Sequence, residues 1–182
     1  GLPAKITAAT GMDALTHLLE AYLAKGYHPM CDGIALEGIQ MVHDSLKQCV
    51  DFAMLDEDEL DIEGEMGLEA HAKARSQMLL AALMGAVAFQ KGLGVNHSCA
   101  HALSTVCDMH HGLANAMMLP FCMDFNERAV PEKFRKIEMI AGIPDGQFAV
   151  WLRHLKGDLG MPEGLCDLGV TEDMVEKLVA VA

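Results

Sequence analysis

Residues 66–91 read MGLEAHAKARSQMLLAALMGAVAFQK, and this stretch is the strongest indication of the fold class. It contains no proline and carries no charged side chain between Met78 and Phe89. A helix that is apolar on nearly every side is typical of a buried core element. Small residues along it would let neighbouring helices approach closely: Ala81, Ala82, Gly85 and Ala86. We therefore predict a central, buried helix from Met66 to Lys91.

The rest of the chain also shows helical periodicity, and strand signals are nearly absent. The first predicted helix covers residues 13–23, with Thr10 as a candidate N-cap. The acidic stretch at residues 55–65 is interpreted as a solvated linker or a helix start, and Pro120 as a kink or a division within a helix. Further helices are predicted at residues 31–52, 96–106, 113–125, 132–140, 147–156 and 171–181. The predicted fold is all-α, a single-domain bundle of about seven to nine helices over residues 1–182.

The composition argues against several classes of function. Aspartate and glutamate outnumber lysine and arginine by 26 to 13, and a net charge of −13 repels nucleic acid and anionic membrane surfaces. The uncharged run at residues 78–89 is too short to span a bilayer, and no signal peptide is expected. The six cysteines are scattered without a CxxC pair, which favours buried, reduced thiols and hence a cytoplasmic protein.

Two segments carry ionisable side chains in apolar, helix-forming surroundings, where such groups are costly unless they are paired or bound to a metal. Asp13 and His17 are four residues apart and so project from one face of a helix. His97 and His101 repeat this spacing, and His111 follows in the same segment. One carboxylate with several imidazoles suits a divalent ion such as Fe²⁺ or Zn²⁺. The spacing predicts a metal site but leaves open which histidines are its ligands.

Three neighbouring side chains have alternative interpretations. His110 directly precedes His111, so spacing alone makes either one a candidate ligand. Glu20 lies seven residues after the aspartate on the same helix face, where it is either an acceptor for a ligand N–H or a surface glutamate. Cys99 lies two residues from His97, on roughly the opposite face, and is not expected to bind the metal.

The sequences TAATGMDALTHLLEAY at residues 7–22 and GLGVNHSCAHALSTVCDMHHGLANAMMLP at residues 92–120 closely resemble the two signature regions of the iron-containing (group III) alcohol dehydrogenases. The resemblance is continuous over roughly residues 1–125. It implies that His101 lies beside the nicotinamide as a catalytic and cofactor-binding residue and is not a ligand. It favours the second histidine of the HHGLAN motif as a ligand, because the ligand directly precedes the glycine. The metal ligands that the resemblance implies are Asp13, His17, His97 and His111.

The resemblance also implies a function. The chain would be the dehydroquinate synthase-like, metal-binding C-terminal domain of an NAD- or NADP-dependent enzyme that acts on a small alcohol or aldehyde. The resemblance favours Fe²⁺ over Zn²⁺ as the metal, and we expect a homo-oligomer, such as a dimer. Family members carry an upstream dinucleotide-binding domain with a glycine-rich phosphate loop, and no segment here matches that loop. We therefore expect a fragment that lacks this domain and the extreme C-terminus and is inactive alone. The alternatives are a metal-binding helical module without activity, a zinc enzyme similar to glycerol dehydrogenase, and a metal-dependent hydrolase.

Overall fold

The computed structural model describes residues 2–182, apart from the side chains of Glu57, Leu60, Asp61 and Glu63. Gly1, the predicted domain boundary, lies outside the described residues. Within them the chain forms eight α-helices, three short 3₁₀ segments and no strand, which confirms the predicted all-α fold. The α-helices are α1 (Ala4–Leu23), α2 (Pro29–Phe52), α3 (Glu57–Ala88), α4 (Val95–Cys107), α5 (His111–Glu127), α6 (Pro131–Ala141), α7 (Phe148–Asp158) and α8 (Val175–Val181). The 3₁₀ segments are Phe89–Lys91, Leu165–Leu168 and Glu172–Met174.

Helix α1 is the central element of the bundle. Thirteen of its 20 residues are buried, and it packs against α2, α3, α4 and α5. Its large apolar side chains Met12, Leu15, Leu18 and Leu19 are inaccessible to solvent. Because neighbours surround much of this helix, its polar side chains Thr7, Thr16 and Glu20 are buried.

The prediction that the apolar 66–91 segment is central and buried is wrong for half of the helix surface. Ala74, Ala81, Gly85 and Ala88 form a buried stripe on α3, which packs against α1 and α2. The larger apolar residues point outward, and their exposed fractions are 75% for Leu79, 45% for Leu80, 60% for Leu83 and 47% for Val87. An apolar side chain favours burial, but it is buried only where another part of the protein packs against it. The small-residue stripe has such a neighbour, as do the partly buried Met78 and Met84, but these four exposed side chains do not within the described part of the chain.

The start of α1 also differs from the prediction. The helix begins at Ala4, with Pro3 in the N-cap position, so Thr10 is not an N-cap. Inside the helix the Thr10 hydroxyl donates to the carbonyl oxygen of Ile6, at 2.8 Å. A threonine hydroxyl can donate to a carbonyl oxygen of the preceding helical turn as readily as it can cap the start of a helix, and the sequence does not distinguish the two.

The acidic stretch at residues 55–65 is a helix start, one of its two predicted interpretations. Asp56 caps α3 by accepting from the backbone N–H of Glu59 at 2.9 Å, and the Glu59 carboxylate accepts from the N–H of Asp56 at 3.0 Å. This reciprocal pair satisfies two N–H groups that the first turn leaves free. Gly64 then interrupts the helix with φ 63° and ψ −165°. Pro120, by contrast, lies inside α5 without dividing it.

Two observations concern the possible membrane-spanning helices and the cysteines. Within the described residues no single helix has the length and apolarity to cross a membrane, and α3 and α4 meet those criteria only as a pair bent by 106°. All six cysteines are free. Cys31, Cys49 and Cys122 are buried as expected, whereas Cys166 is exposed.

Candidate metal site

Helix α1 supplies two of the predicted ligands. Asp13 and His17 lie one turn apart, and His17 Nδ1 is 3.8 Å from Asp13 Oδ2, with each side chain 25% exposed. Gly85 of α3 lies directly behind His17, since a Cβ atom added there would be 3.2 Å from the His17 Cβ. The absence of a side chain at this position lets α3 approach α1 closely beside His17.

His97, in the first turn of α4, faces the same pair. Its ring centroid is 4.5 Å from that of His17. Ligand atoms of Asp13, His17 and His97 all lie within 4.8 Å of one another. The structure therefore brings together three of the four predicted ligands around a space that suits a single ion.

Glu20 determines how His97 is presented. Burial by itself raises the pKa of this carboxyl, but hydrogen bonds from the His97 imidazole and from the backbone N–H groups of Gly94 and Asn96 outweigh that effect and leave the pKa below its ordinary value. The ionised carboxylate can only accept, so Nδ1 of His97, at 2.7 Å, carries the proton. Of the two predicted alternatives for Glu20, the structure shows the acceptor and not the surface group, since the residue is 2% exposed.

The remaining nitrogen of His97 tests whether these residues fit a metal ion. Its Nε2 is buried and has no hydrogen-bond partner among the described residues. With the proton on Nδ1, this atom keeps a free lone pair on a ring that lies beside Asp13 and His17. A buried polar atom without a partner costs free energy that metal coordination would remove. The residues present therefore fit a divalent ion.

His111, the first residue of α5, adjoins this group at its edge. Its Nε2 is 3.5 Å from Asp13 Oδ1, and its ring centroid is 5.6 Å from that of His97. The same Nε2 lies 3.1 Å from the amide nitrogen of Asn115. His111 thus contacts the site but currently accepts a hydrogen bond, which it would have to release in order to bind a metal.

Partial burial keeps the imidazoles of His17 and His111 neutral. It lowers the pKa of His17 below the ordinary 6.5, and His97 and His111 add to this effect although Asp13 opposes it. Burial likewise lowers the pKa of His111 against the opposing charge of Asp13. At neutral pH both rings are therefore in the deprotonated form that metal binding requires.

His101 and His110 lie outside the cluster of candidate ligands. Both are exposed, and the His101 ring stacks on His111 with centroids 5.2 Å apart. The centroid of His101 is 6.1 Å from that of His97. This arrangement leaves His101 at the solvent-facing side of the site, where it could contact a bound molecule; its role as the catalytic and cofactor-binding residue stays a prediction.

Two asparagines complete the site, and sequence reasoning missed both. Asn96 and Asn115 are completely buried. Asn115 donates to Asp13 Oδ1 at 2.6 Å and accepts from the side-chain amide of Asn96 at 2.9 Å. The signal was present, because each is a polar residue in an apolar helix, next to His97 and four residues after His111 respectively.

Fold and site together define a helical domain with a candidate metal site, and comparison with known proteins gives its family. The family model described as the Fe-containing alcohol dehydrogenase family, C-terminal, matches residues 7–182. This chain belongs to that family, as its resemblance to the two signature regions implied.

Individual relatives agree with the family match. The 4-hydroxybutyrate dehydrogenase of Cupriavidus necator is 36% identical over 192 residues, which cover 100% of this chain and 46% of that protein. The 1,3-propanediol dehydrogenase of Citrobacter freundii is 38% identical, over 94% of this chain and 43% of that protein. A crystal structure of 1,3-propanediol oxidoreductase superposes with a TM-score of 0.85 at 34% identity, covering 100% of this chain and 46% of the other. The chain thus spans about half the length of the relatives it matches.

Proposed function

We propose that this chain is the metal-binding half of an NAD(P)-dependent alcohol dehydrogenase, in which Asp13, His17, His97 and His111 hold a divalent ion. The single observation that carries the proposal is the buried, unpartnered Nε2 of His97 beside Asp13 and His17. One carboxylate with three neutral imidazoles would leave the ion a net positive charge, and Fe²⁺ is favoured by the family while Zn²⁺ suits the same ligands.

The chemistry follows from this donor set. A bound ion would supply Lewis-acid polarisation of a substrate oxygen, and a nicotinamide cofactor would supply or accept the hydride. The chain's own contribution is to hold the imidazoles of His17 and His111 neutral, to orient His97 through Glu20 and to leave one side of the site open at the partly exposed Asp13. His101, exposed beside this opening, is proposed to contact the nicotinamide and to help move a proton to solvent.

Names of relatives support the substrate class. The matched relatives act, by name, on 4-hydroxybutyrate and 1,3-propanediol, and another of 34% identity is an NAD-dependent methanol dehydrogenase of Bacillus methanolicus. We propose a small primary alcohol and its aldehyde as substrates, in a homo-oligomeric cytoplasmic enzyme. Because the relatives are about twice as long, we propose that activity also needs a dinucleotide-binding half.

Metal binding by the chain itself tests the proposal. We expect the chain, purified without oxygen and stripped of metal, to bind one equivalent of Fe²⁺ or Zn²⁺ by calorimetric titration. His97→Ala should abolish this binding. His154→Ala, which removes an exposed histidine on α7, should leave it unchanged. Equal binding by the wild type and His97→Ala would contradict the proposed site.

Hydride transfer needs a separate assay. With NADH or NADPH and short aldehydes, the chain alone should give no rate above a metal-only control, whereas the same chain joined to a dinucleotide-binding half should turn over. Robust turnover by the chain alone would show that the cofactor binds within residues 1–182.

A further inference from the structure

The carboxylate of Glu20 lies at the junction of α1 and α4 and accepts four N–H groups. Its Oε1 accepts from the backbone N–H of Asn96 at 2.7 Å. Its Oε2 accepts from the backbone N–H groups of Gly94 at 3.0 Å and His97 at 3.2 Å. The fourth donor is the imidazole Nδ1–H of His97, at 2.7 Å. One buried side chain therefore satisfies the first turn of α4 and a candidate metal ligand together.

This arrangement has two physical consequences. The N-terminus of α4 carries unsatisfied N–H groups and a partial positive charge, so the carboxylate fixes the start of that helix against α1. The bond to Nδ1 fixes the tautomer and the ring plane of His97, and it increases the basicity of the opposite nitrogen. Nε2 is the atom left buried without a partner. The geometry thus prepares His97 to donate its lone pair to an ion held together with Asp13 and His17.

We propose that Glu20 is a positioning residue for the metal: it acts through His97 to set how tightly the site holds a divalent ion. This inference rests on the proposed function, because it presumes that His97 is a ligand. Glu20 lies on α1 with Asp13 and His17, so one helix supplies two ligands and the orienting group of a third. Loss of the carboxylate charge should weaken metal binding even where the fold is kept.

The chain contains its own control for a purely structural role. Glu138 of α6 is also 2% exposed. Its Oε1 accepts from the backbone N–H groups of Gln147 and Phe148, at 2.9 and 3.0 Å, at the start of α7. No imidazole is among its hydrogen-bond partners in the described part of the chain. Glu20→Gln and Glu138→Gln therefore make the same substitution at two buried helix-capping side chains, but only the first alters a group that accepts from a candidate metal ligand.

The experiment compares metal affinity in the two variants. Zn²⁺ and Co²⁺ are titrated into apo protein in competition with a chelator, and Co²⁺ absorption reports the geometry of the site. We expect Glu20→Gln to bind Zn²⁺ about 10–100-fold more weakly than wild type, with an altered Co²⁺ spectrum. Glu138→Gln should match wild type in both measurements, although both variants should unfold at lower temperature. Equal affinity and spectra for Glu20→Gln and wild type would overturn the inference.

A measurement on the unmodified chain covers the case in which Glu20→Gln fails to fold. Nitrogen-15 NMR of the apo protein reports which imidazole nitrogen of His97 is protonated. We expect the proton on Nδ1, and a proton on Nε2 would overturn the positioning role. The proposed function is tested separately by His97→Ala: if that variant keeps wild-type Zn²⁺ affinity, the metal site itself fails. If it loses Zn²⁺ while Glu20→Gln does not, only the role of Glu20 fails.

Discussion

Gly112 lies against the carbonyl oxygen of Ala9 so closely that a Cβ atom on Gly112 would be 2.4 Å from that oxygen. The contact joins the first turn of α5 to the turn of α1 that precedes Asp13. It brings His111, the neighbour of Gly112, to within 3.5 Å of the Asp13 carboxylate. A glycine is required here by close approach of two backbones, so the position of one candidate ligand depends on a residue that has no side chain.

The first prediction concerns this contact. Gly112→Ala should lower the free energy of unfolding by about 1–3 kcal/mol, because the added methyl group meets backbone that cannot rotate away. It should also weaken Zn²⁺ binding by displacing His111. Gly33→Ala is the control: Gly33 is exposed in α2 with no atom within 4 Å of the added Cβ, so this change should stabilise by about 0.5–1 kcal/mol. Urea unfolding measures the free energy of unfolding of both variants, and equal values for the two would contradict the packing argument.

Helical periodicity predicted the fold class because it depends only on local spacing. The predicted helix at residues 31–52 differs from α2 by two residues at its start. The error at Leu79 and Leu83 has another origin: those side chains are apolar, yet the described chain offers no surface to cover them. Which side of a long apolar helix is buried depends on neighbours, and α1, with Met12 and Leu15 fully buried, takes the central position instead.

The candidate ligands were accessible from sequence because spacing and resemblance both point to them. The contacts that the supporting residues make could not be predicted, although Glu20 was named as a possible acceptor for a ligand N–H. Glu20 meets His97 across 77 residues of chain, and Asn115 meets Asp13 across 102. Spacing within one helix gives the face that a side chain occupies, but only the packing of α1 against α4 and α5 shows what that face contacts.

The second prediction tests the support of the carboxylate. Asn115→Ala removes the amide that donates to Asp13 at 2.6 Å and leaves the side-chain amide of Asn96 with only the backbone carbonyl oxygen of position 115 as acceptor, at 3.3 Å. We expect Zn²⁺ affinity to fall about 10-fold, since a ligand carboxylate loses its orienting hydrogen bond. Asn126→Ala, in the last turn of the same helix, should bind Zn²⁺ normally. Chelator competition measures both, and unchanged affinity in Asn115→Ala would show that Asp13 needs no such support.

The third prediction concerns thiol reactivity. Burial, with a contribution from Cys99, raises the pKa of Cys122 to about 12. At pH 8 this leaves about one Cys122 thiol in ten thousand ionised, and only the thiolate reacts. Cys166 is exposed. Iodoacetamide at pH 8 should therefore label Cys166 and spare Cys122 in the folded chain, while both should react in urea. Peptide mass spectrometry gives the two rates, and comparable labelling in the folded state would refute the prediction.

The last prediction separates two neighbouring histidines. His111→Ala should lose most bound metal, because His111 contacts Asp13 and is a proposed ligand. His101→Ala should keep metal, because that exposed ring stacks on His111 without joining the cluster of candidate ligands. In the chain joined to a dinucleotide-binding half, its defect should be a raised KM for the nicotinamide and slower hydride transfer. Elemental analysis alongside steady-state kinetics decides: if His101→Ala strips the metal and His111→Ala retains it, the two roles are exchanged.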